Sequence, residues 1–210
     1  MITLFDYQLS GNCYKPRLLM GMLGLQWQTR AVDFHPGREH RSAWFLALNP
    51  LGELPVLQDD GLVLRDAQAI LVYLASRYDP GGTWYPRADP AALARIAMWL
   101  AFANRITATA GAARMHESFQ YPLDAAAARA GAHALFRVLD EHLWFGEQRG
   151  ENWLCGEGPT IADIACFPYV MLSEEGGVSR LPYPAIGRWT DRFRRLPGFA
   201  VMPGIFPVDE

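Results

Sequence analysis

The sequence predicts an α+β fold in two parts, the first built from strands and helices and the second entirely from helices. Up to about residue 78, short apolar runs alternate with segments of helical periodicity. A stretch rich in proline and glycine follows, and beyond it alanine-rich helical patterns continue without any strand pattern. We therefore expect one domain at residues 1–80, a linker at residues 81–90 and an all-α-helical domain at residues 91–210.

The first domain has the predicted element order β-α-β-α-β-β-α. Gly24 ends a helical pattern, Ser42 can cap a short helix, and Asp60-Gly61 is typical of a hairpin turn. If Asn12 is the N-cap of the first helix, Pro16 loosens the first turn, because proline lacks an N–H for the Asn12 carbonyl. The expected elements are strands at residues 1–5, 28–34, 56–57 and 62–64, and helices at residues 13–25, 42–46 and 66–78.

The second domain is predicted to contain four main helices, at residues 91–115, 125–145, 161–172 and 184–196. Thr160 and Asp163 have the spacing of a capping box at the start of the third helix, with Asp in place of the usual Glu or Gln. We therefore give Asp163 a structural role and not a catalytic one.

Composition limits the class of protein. Half of the 210 residues are apolar, which is enough for a sizeable core, and 22 acidic against 19 basic residues do not favour a nucleic-acid partner. Three cysteines without a C-x-x-C pair suit a reducing compartment, so we expect a cytoplasmic protein with no membrane partner. The five histidines have no recurring ligand spacing, and we expect neither a metal nor a permanently bound cofactor.

The most informative segment runs from Asn49 to Leu57 and continues through an Asp-Gly turn into a strand and a helix. Pro55 directly precedes the apolar pair Val56-Leu57, where a trans proline in a central strand would remove a hydrogen-bond donor. A cis Leu54–Pro55 bond is therefore predicted. The N–H and C=O groups of Leu54 would then be free to pair with an extended peptide.

These residues resemble the glutathione transferase family, whose first domain has the thioredoxin-like fold. The resemblance covers essentially the whole chain and is strongest between Asn49 and Tyr73. It implies a homodimeric enzyme that conjugates glutathione, its co-substrate, to small apolar electrophiles. It also implies that the backbone at Leu54 and Pro55 binds the glutathione peptide.

The segment Ser10-Gly-Asn-Cys13 lies between the first strand and the first helix. Resemblance to serine-type transferases implies that the Ser10 hydroxyl donates a hydrogen bond to the glutathione sulfur and keeps it ionised. Cys13 is the alternative nucleophile, because a thiol in the first turn of a helix commonly has a lowered pKa. The interpretation that we favour for it is a small buried cysteine. Tyr7, near the end of the strand, is a third candidate.

The resemblance also implies the residues that bind the rest of glutathione. Asp66 would take the amino group of the γ-glutamyl end, whereas Ala67 stands where the family has serine and removes one donor to the carboxylate. His40 or Arg41 would reach the glycyl carboxylate. We expect the second substrate near the end of the long helix, at Arg114, Met115 and Phe119.

Two other functions remain open at this point. The protein could be a glutathione-dependent thiol reductase or peroxidase in which Cys13 forms a mixed disulfide. It could also bind glutathione or another ligand without turnover, and the alanine at position 67 favours that interpretation.

Overall fold

The first domain is organised around a four-stranded mixed sheet, in a computed structural model that describes residues 1–208. The strands are β1 (Ile2–Asp6), β2 (Trp27–Ala31), β3 (Val56–Asp59) and β4 (Leu62–Arg65), in the spatial order β2-β1-β3-β4. β1 is parallel to β2 and antiparallel to β3, with Leu4 opposite Leu57. The predicted Asp60-Gly61 turn joins β3 to β4, and both of its residues have positive φ, as a tight hairpin requires.

Three helices cover this sheet, α1 (Gly11–Met22), α2 (Ala43–Leu48) and α3 (Ala67–Tyr78). Successive residues of a strand point to opposite faces, and Leu4 and Phe5 accordingly belong to two different apolar clusters. Leu4 packs in the large cluster that contains residues of α1 and α3, whereas Phe5 packs with Phe45 of α2. The predicted order β-α-β-α-β-β-α is confirmed.

The second part is helical, as predicted. Its elements are α4 (Pro90–Ile106), a π turn (Thr107–Gly111), α5 (Ala112–Phe119), α6 (Ala125–Glu147), α7 (Ile161–Met171) and α8 (Pro184–Phe193). The helix predicted at residues 91–115 continues to Phe119 and contains the π turn, which the sequence analysis missed. No helix in the described part of the chain is long and apolar enough to cross a membrane.

The predicted capping box at the start of α7 is confirmed. Asp163 is fully buried, and its Oδ2 accepts the N–H of Thr160 at 2.9 Å. Its other oxygen accepts the indole N–H of Trp189 at 3.0 Å and the amide of Leu154 at 3.1 Å. A buried carboxylate needs such partners, and these bonds connect the start of α7 to α8.

The boundaries of α1 and β2 differ from those predicted. Ser10, not Asn12, is the N-cap of α1: its Oγ accepts the N–H of Cys13 at 3.2 Å, and the helix begins at Gly11. The helix ends at Met22, just before Gly24 with its φ of 64°. β2 ends at Ala31, and the chain then passes through a second cis prolyl bond, His35–Pro36, which was not predicted.

Lys15, the only lysine in the sequence, is fully buried on the side of α1 that faces α7. Its Nζ makes no hydrogen bond within residues 1–208 and lies 5.6 Å from the ring centroid of Tyr169. Burial lowers the pKa of the amine to about 8, because removal from water disfavours the charged form.

We expect Lys15→Met to raise the free energy of unfolding at pH 7 by about 3 kcal/mol, because each unit of pKa shift corresponds to about 1.4 kcal/mol. The folded-state pKa of about 8 is lower than the ordinary value of 10.5, so the unfolded wild type binds more protons between those pH values. The free energy of unfolding of the wild type should therefore increase as the pH rises from about 8 to 10.5. The difference in stability between Lys15→Met and the wild type should decrease over the same range. Urea unfolding at several pH values measures both effects.

Arg65→Met, which removes an exposed cation from β4, is the matched control and should change stability little at any of these pH values. A Lys15→Met protein less stable than wild type at pH 7 would contradict the account of an unpaired, buried amine.

Candidate functional site

A cleft of about 400 Å³ lies where the edge of the sheet meets the helical domain. Its volume is within the range of small-molecule sites. It brings together residues that are far apart in the sequence. The predicted site residues that line it are Ser10, His40, Arg41, Leu54, Asp66, Arg114, Met115 and Phe119, together with the third candidate, Tyr7. Cys13, Pro55 and Ala67 are buried and do not line it.

Leu54 presents a free backbone edge to this cleft. The Leu54–Pro55 bond is cis, as predicted, and β3 begins directly afterwards at Val56, which pairs with Phe5 of β1. Within residues 1–208, neither the N–H nor the C=O of Leu54 makes a hydrogen bond. The edge therefore has one donor and one acceptor for an extended peptide in the cleft.

Ser10 lies in the cleft at the start of α1. Its Oγ accepts the Cys13 N–H in the helix cap, and a serine hydroxyl also carries one hydrogen that it can donate. The N-terminus of a helix favours nearby negative charge. An anion in front of Ser10 would thus receive a hydrogen bond from the hydroxyl and the favourable field of α1.

Of the two interpretations of Cys13, the structure supports the small buried cysteine and contradicts the nucleophile with a lowered pKa. The side chain is fully buried, and its Sγ accepts the N–H of Tyr7 at 3.5 Å. Burial and, to a smaller degree, the Asp6 carboxylate raise the pKa of the thiol to about 12. The helix begins two residues earlier than predicted, and Cys13 faces the core. It lacks the exposure and thiolate character that a nucleophile needs.

Asp66 caps α3 at the floor of the cleft. Its Oδ1 accepts the N–H groups of Gln68 and Ala69, each at 2.9 Å, whereas Oδ2 makes no hydrogen bond among the described residues. Its φ of 75° is uncommon for a residue with a Cβ, and residues in such sparsely populated conformations cluster at functional sites. The free oxygen can accept a hydrogen bond from a ligand. Ala67, the first residue of α3, is buried beside this cap.

His40 and Arg41 lie on the opposite side of Leu54 from Asp66 in the sequence and also line the cleft. The His40 ring stacks on Phe34 with centroids 4.2 Å apart, and burial, followed by the charges of Arg41 and Arg38, lowers its pKa. The imidazole is therefore neutral at pH 7. The Arg41 guanidinium donates to the Leu51 carbonyl at 3.1 Å and supplies the positive charge on this side.

Arg114, Met115 and Phe119 reach the cleft from the long helix, as expected. Arg114 is only 5% exposed, and its Nη1 donates to the Leu9 carbonyl at 2.7 Å while its Nε donates to Glu175 at 2.6 Å. It therefore attaches the helical domain to the residue that precedes Ser10.

An aromatic wall stands beside Arg114. The Tyr7 ring lies 5.5 Å from that of Phe34 and 6.2 Å from that of Phe119. Burial raises the pKa of the Tyr7 phenol, which is consequently protonated at neutral pH.

Among residues 1–208, no three His, Cys, Asp or Glu side chains come together as a metal site.

Sequence reasoning missed four residues that line the cleft from the helical domain, Asn104, Thr107, Tyr121 and Tyr169. Asn104 and Thr107 are polar residues of the long helix. Its apolar periodicity identifies the face that packs in the core, but it does not show which polar residues face a cleft. Tyr169 belongs to a helix whose sequence is almost uniformly apolar, so its position does not stand out from those of the core residues around it.

A thioredoxin-like domain with a free peptide edge, joined to a helical domain across a shared cleft, is the architecture typical of the glutathione S-transferase family. The family model described as Glutathione S-transferase, N-terminal domain, matches residues 4–82, and the model described as Glutathione S-transferase, C-terminal domain, matches residues 103–197. The chain belongs to the glutathione S-transferase family.

Individual relatives agree with this membership. The chain is 30% identical over 207 residues to glutathione S-transferase GstB of Escherichia coli strain K12, an alignment that covers 94% of this chain and 95% of GstB. It resembles the crystal structure of a glutathione S-transferase from Xanthobacter autotrophicus Py2 with a TM-score of 0.85 and 32% identity, over 97% of this chain and 98% of that one. It also resembles Ure2p in complex with glutathione, with a TM-score of 0.84 and 26% identity over 94% and 95% of the chains.

We expect Cys13 to resist alkylation in the native protein at neutral pH, because its thiol is buried and its pKa is about 12. Brief treatment with iodoacetamide followed by peptide mass spectrometry measures this. The same treatment in denaturant should label Cys13 fully, which controls for detection of the peptide. Rapid labelling of native Cys13 at pH 7 would contradict the burial described here.

Proposed function

We propose that this protein is a glutathione transferase that conjugates the thiolate of glutathione to small apolar electrophiles. The observation that supports this best is that the free peptide edge of Leu54 and the Ser10 hydroxyl open onto the same cleft. Glutathione is an extended peptide with a thiol in its middle residue, and the cleft offers a partner for both features.

We infer that the glutathione backbone lies antiparallel to Leu54, with its cysteinyl N–H and C=O paired to the free groups of that residue. The charges on either side suit the two ends of the peptide. The free Oδ2 of Asp66 would accept from the γ-glutamyl ammonium, and the Arg41 guanidinium would pair with the glycyl carboxylate. Glu53 also lines the cleft and weakens that second pair by repulsion.

The chemistry assigned to Ser10 is stabilisation of the thiolate. Lowering the pKa of a thiol from about 8.5 to about 6.5 requires roughly 2.7 kcal/mol of preferential stabilisation of the anion. One hydrogen bond to a charged acceptor contributes about 1.5–3 kcal/mol, and the helix N-terminus adds about 0.3–1 kcal/mol. Together these reach the required amount. The sulfur lone pair then forms a bond to the electrophilic carbon, and the leaving group departs with its own electron pair.

The second substrate would lie against the aromatic wall of Tyr7, Phe34 and Phe119, with Met115 beside it. This lining favours an apolar electrophile. The family resemblance further leads us to propose that the protein forms a homodimer.

The two alternative functions differ in their support. A thiol reductase or peroxidase based on Cys13 is disfavoured, because that thiol is buried and protonated. A glutathione-binding protein without turnover remains the second candidate, since the methyl group of Ala67 cannot donate to a carboxylate. Retention on immobilised glutathione without conjugation of any of several electrophiles would favour it.

We expect Ser10→Ala to raise the pKa of bound glutathione by about one to two units and to lower kcat/KM at pH 7 by about 10- to 100-fold, because a charge-assisted hydrogen bond is lost. The pH dependence of conjugation to an aryl halide, together with calorimetric titration of glutathione, measures both quantities. Ser10→Thr keeps the hydroxyl and the helix cap and is the matched control. An unchanged pH profile in Ser10→Ala would rule out the role assigned to the hydroxyl.

Ala67 itself is buried, but it follows Asp66 directly at the start of α3, and a serine Oγ extends one atom beyond the alanine methyl group. We therefore expect Ala67→Ser to tighten glutathione binding by about fivefold, which corresponds to one added hydrogen bond of about 1 kcal/mol to the γ-glutamyl carboxylate. Titration calorimetry measures the dissociation constant. Ala69→Ser makes the same chemical change at an exposed position of α3 and should leave binding unchanged. Equal dissociation constants for wild type and Ala67→Ser would show that this end of the ligand is bound differently.

A further inference from the structure

We propose that the phenol of Tyr169 donates a second hydrogen bond to the glutathione sulfur, from the helical domain. This assignment rests on the proposed function, since it requires glutathione in the cleft. Tyr169 belongs to α7 and lines the cleft together with Ser10 and Asn12. In α7, which the structure describes completely, Tyr169 is the one residue that is only partly buried.

Two glycines hold the Tyr169 ring in place. A Cβ added at Gly11, the first residue of α1, would lie 2.9 Å from Cε1 and Cζ of the ring. A Cβ added at Gly111, the last residue of the π turn, would lie 3.2 Å from Cδ1 and Cε1. These approaches are too close for a side chain at Gly11 and very tight at Gly111, so the ring fits closely between α1 and the long helix.

Backbone conformation gives no other reason for glycine at these positions. Gly111 has φ −63° and ψ −42°, which are ordinary helical values, and Gly11, the first residue of α1, is absent from the residues with positive φ. Glycine inside a helix, as at Gly111, destabilises it relative to alanine, so close approach of the ring is the remaining explanation. The π turn that ends at Gly111 is a feature often found at functional sites.

The charges and dipoles around the hydroxyl suit a hydrogen-bond donor to an anion. Burial is the largest influence and raises the pKa of the Tyr169 phenol, and the nearby Cys13 thiol raises it further. This pKa is lowered, but by less, by three neighbours: the Arg114 guanidinium, the Asn12 amide and the Ser10 hydroxyl. The phenol is therefore protonated at neutral pH, close to Ser10, with the Lys15 ammonium 5.6 Å from its ring centroid.

The proposed step leaves both hydroxyl protons in place. The thiol proton of glutathione leaves to solvent, and the resulting thiolate accepts one hydrogen bond from Ser10 and one from Tyr169. No bond to carbon changes until the sulfur attacks the electrophile. Because Ser10 lies on the first domain and Tyr169 on the second, the sulfur would be held by both domains.

The test is Tyr169→Phe, which keeps the ring between the two glycines and removes only the hydroxyl. We expect the pKa of bound glutathione to rise by about one unit and kcat/KM below that pKa to fall about tenfold. Affinity for S-methylglutathione, which has no thiolate, should stay within about twofold of wild type. In Ser10→Ala/Tyr169→Phe, the pKa of the bound thiol should approach that of free glutathione.

Tyr183→Phe is the matched control. Tyr183 is another tyrosine of the helical domain that is largely buried, and its hydroxyl donates to the His133 carbonyl at 3.1 Å, outside the cleft. Its loss should leave the pKa of the bound thiol unchanged.

The outcomes separate this assignment from the proposed function. If wild type lowers the thiol pKa and Tyr169→Phe lowers it equally, the role of Tyr169 is overturned and the proposed function stands. If Tyr169→Phe weakens S-methylglutathione as much as glutathione, the hydroxyl has only a structural role and the assignment is overturned. If wild type binds neither ligand, the proposed function fails and the assignment fails with it.

Discussion

The unpaired backbone of Leu54 is the constraint around which the cleft is built. The pairing of β3 with β1 ends at Val56. Leu54, two residues earlier, therefore keeps an unpaired N–H donor and C=O acceptor that face the cleft. Backbone polar groups of this kind are expected to find partners. The charged residues on either side, Asp66 and Arg41, and the Ser10 hydroxyl all open onto the same space. A short peptide with an amine, a thiol and a carboxylate matches this arrangement.

The helical domain contributes as much to the site as the sheet does. Arg114 binds the Leu9 carbonyl, and the ring of Tyr169 packs directly on Gly11, so both hold the loop that carries Ser10. Part of the stability of that loop therefore comes from outside its own domain. The position of the Ser10 hydroxyl depends on packing between domains, and a change at either contact should affect the sulfur subsite even when the sheet remains intact.

The features that the sequence predicted correctly depend on local chemistry. The Asp60-Gly61 turn, the Ser42 cap, the cis bond before Pro55 and the Thr160–Asp163 capping box each follow from residues within a few positions of one another. The errors arise where local rules allow two answers. Ser10 and Asn12 are both good N-cap residues. Taking Asn12 as the cap placed the expected start of α1 two residues too late. The same shift placed Cys13 at the first residue of the helix, where it became a candidate nucleophile.

The remaining site residues could not be predicted because their roles depend on tertiary contacts. Tyr169 looks like one more core residue of an apolar helix, and only the placement of Gly11 and Gly111 on either side of its ring distinguishes it. The π turn at Thr107–Gly111 contains a single glycine, which is too weak a signal to predict a change in helix type. The family resemblance predicted roles for Ser10 and Asp66. It named no site residue on α7, the helix that carries Tyr169.

A crystal structure of the protein with glutathione tests the central claim most directly. The account predicts that the cysteinyl N–H and C=O of glutathione lie about 3 Å from the carbonyl oxygen and amide nitrogen of Leu54, with the sulfur facing Ser10. Glutathione bound elsewhere, or bound in the cleft with the Leu54 groups still unpaired and its sulfur directed away from Ser10, would contradict it.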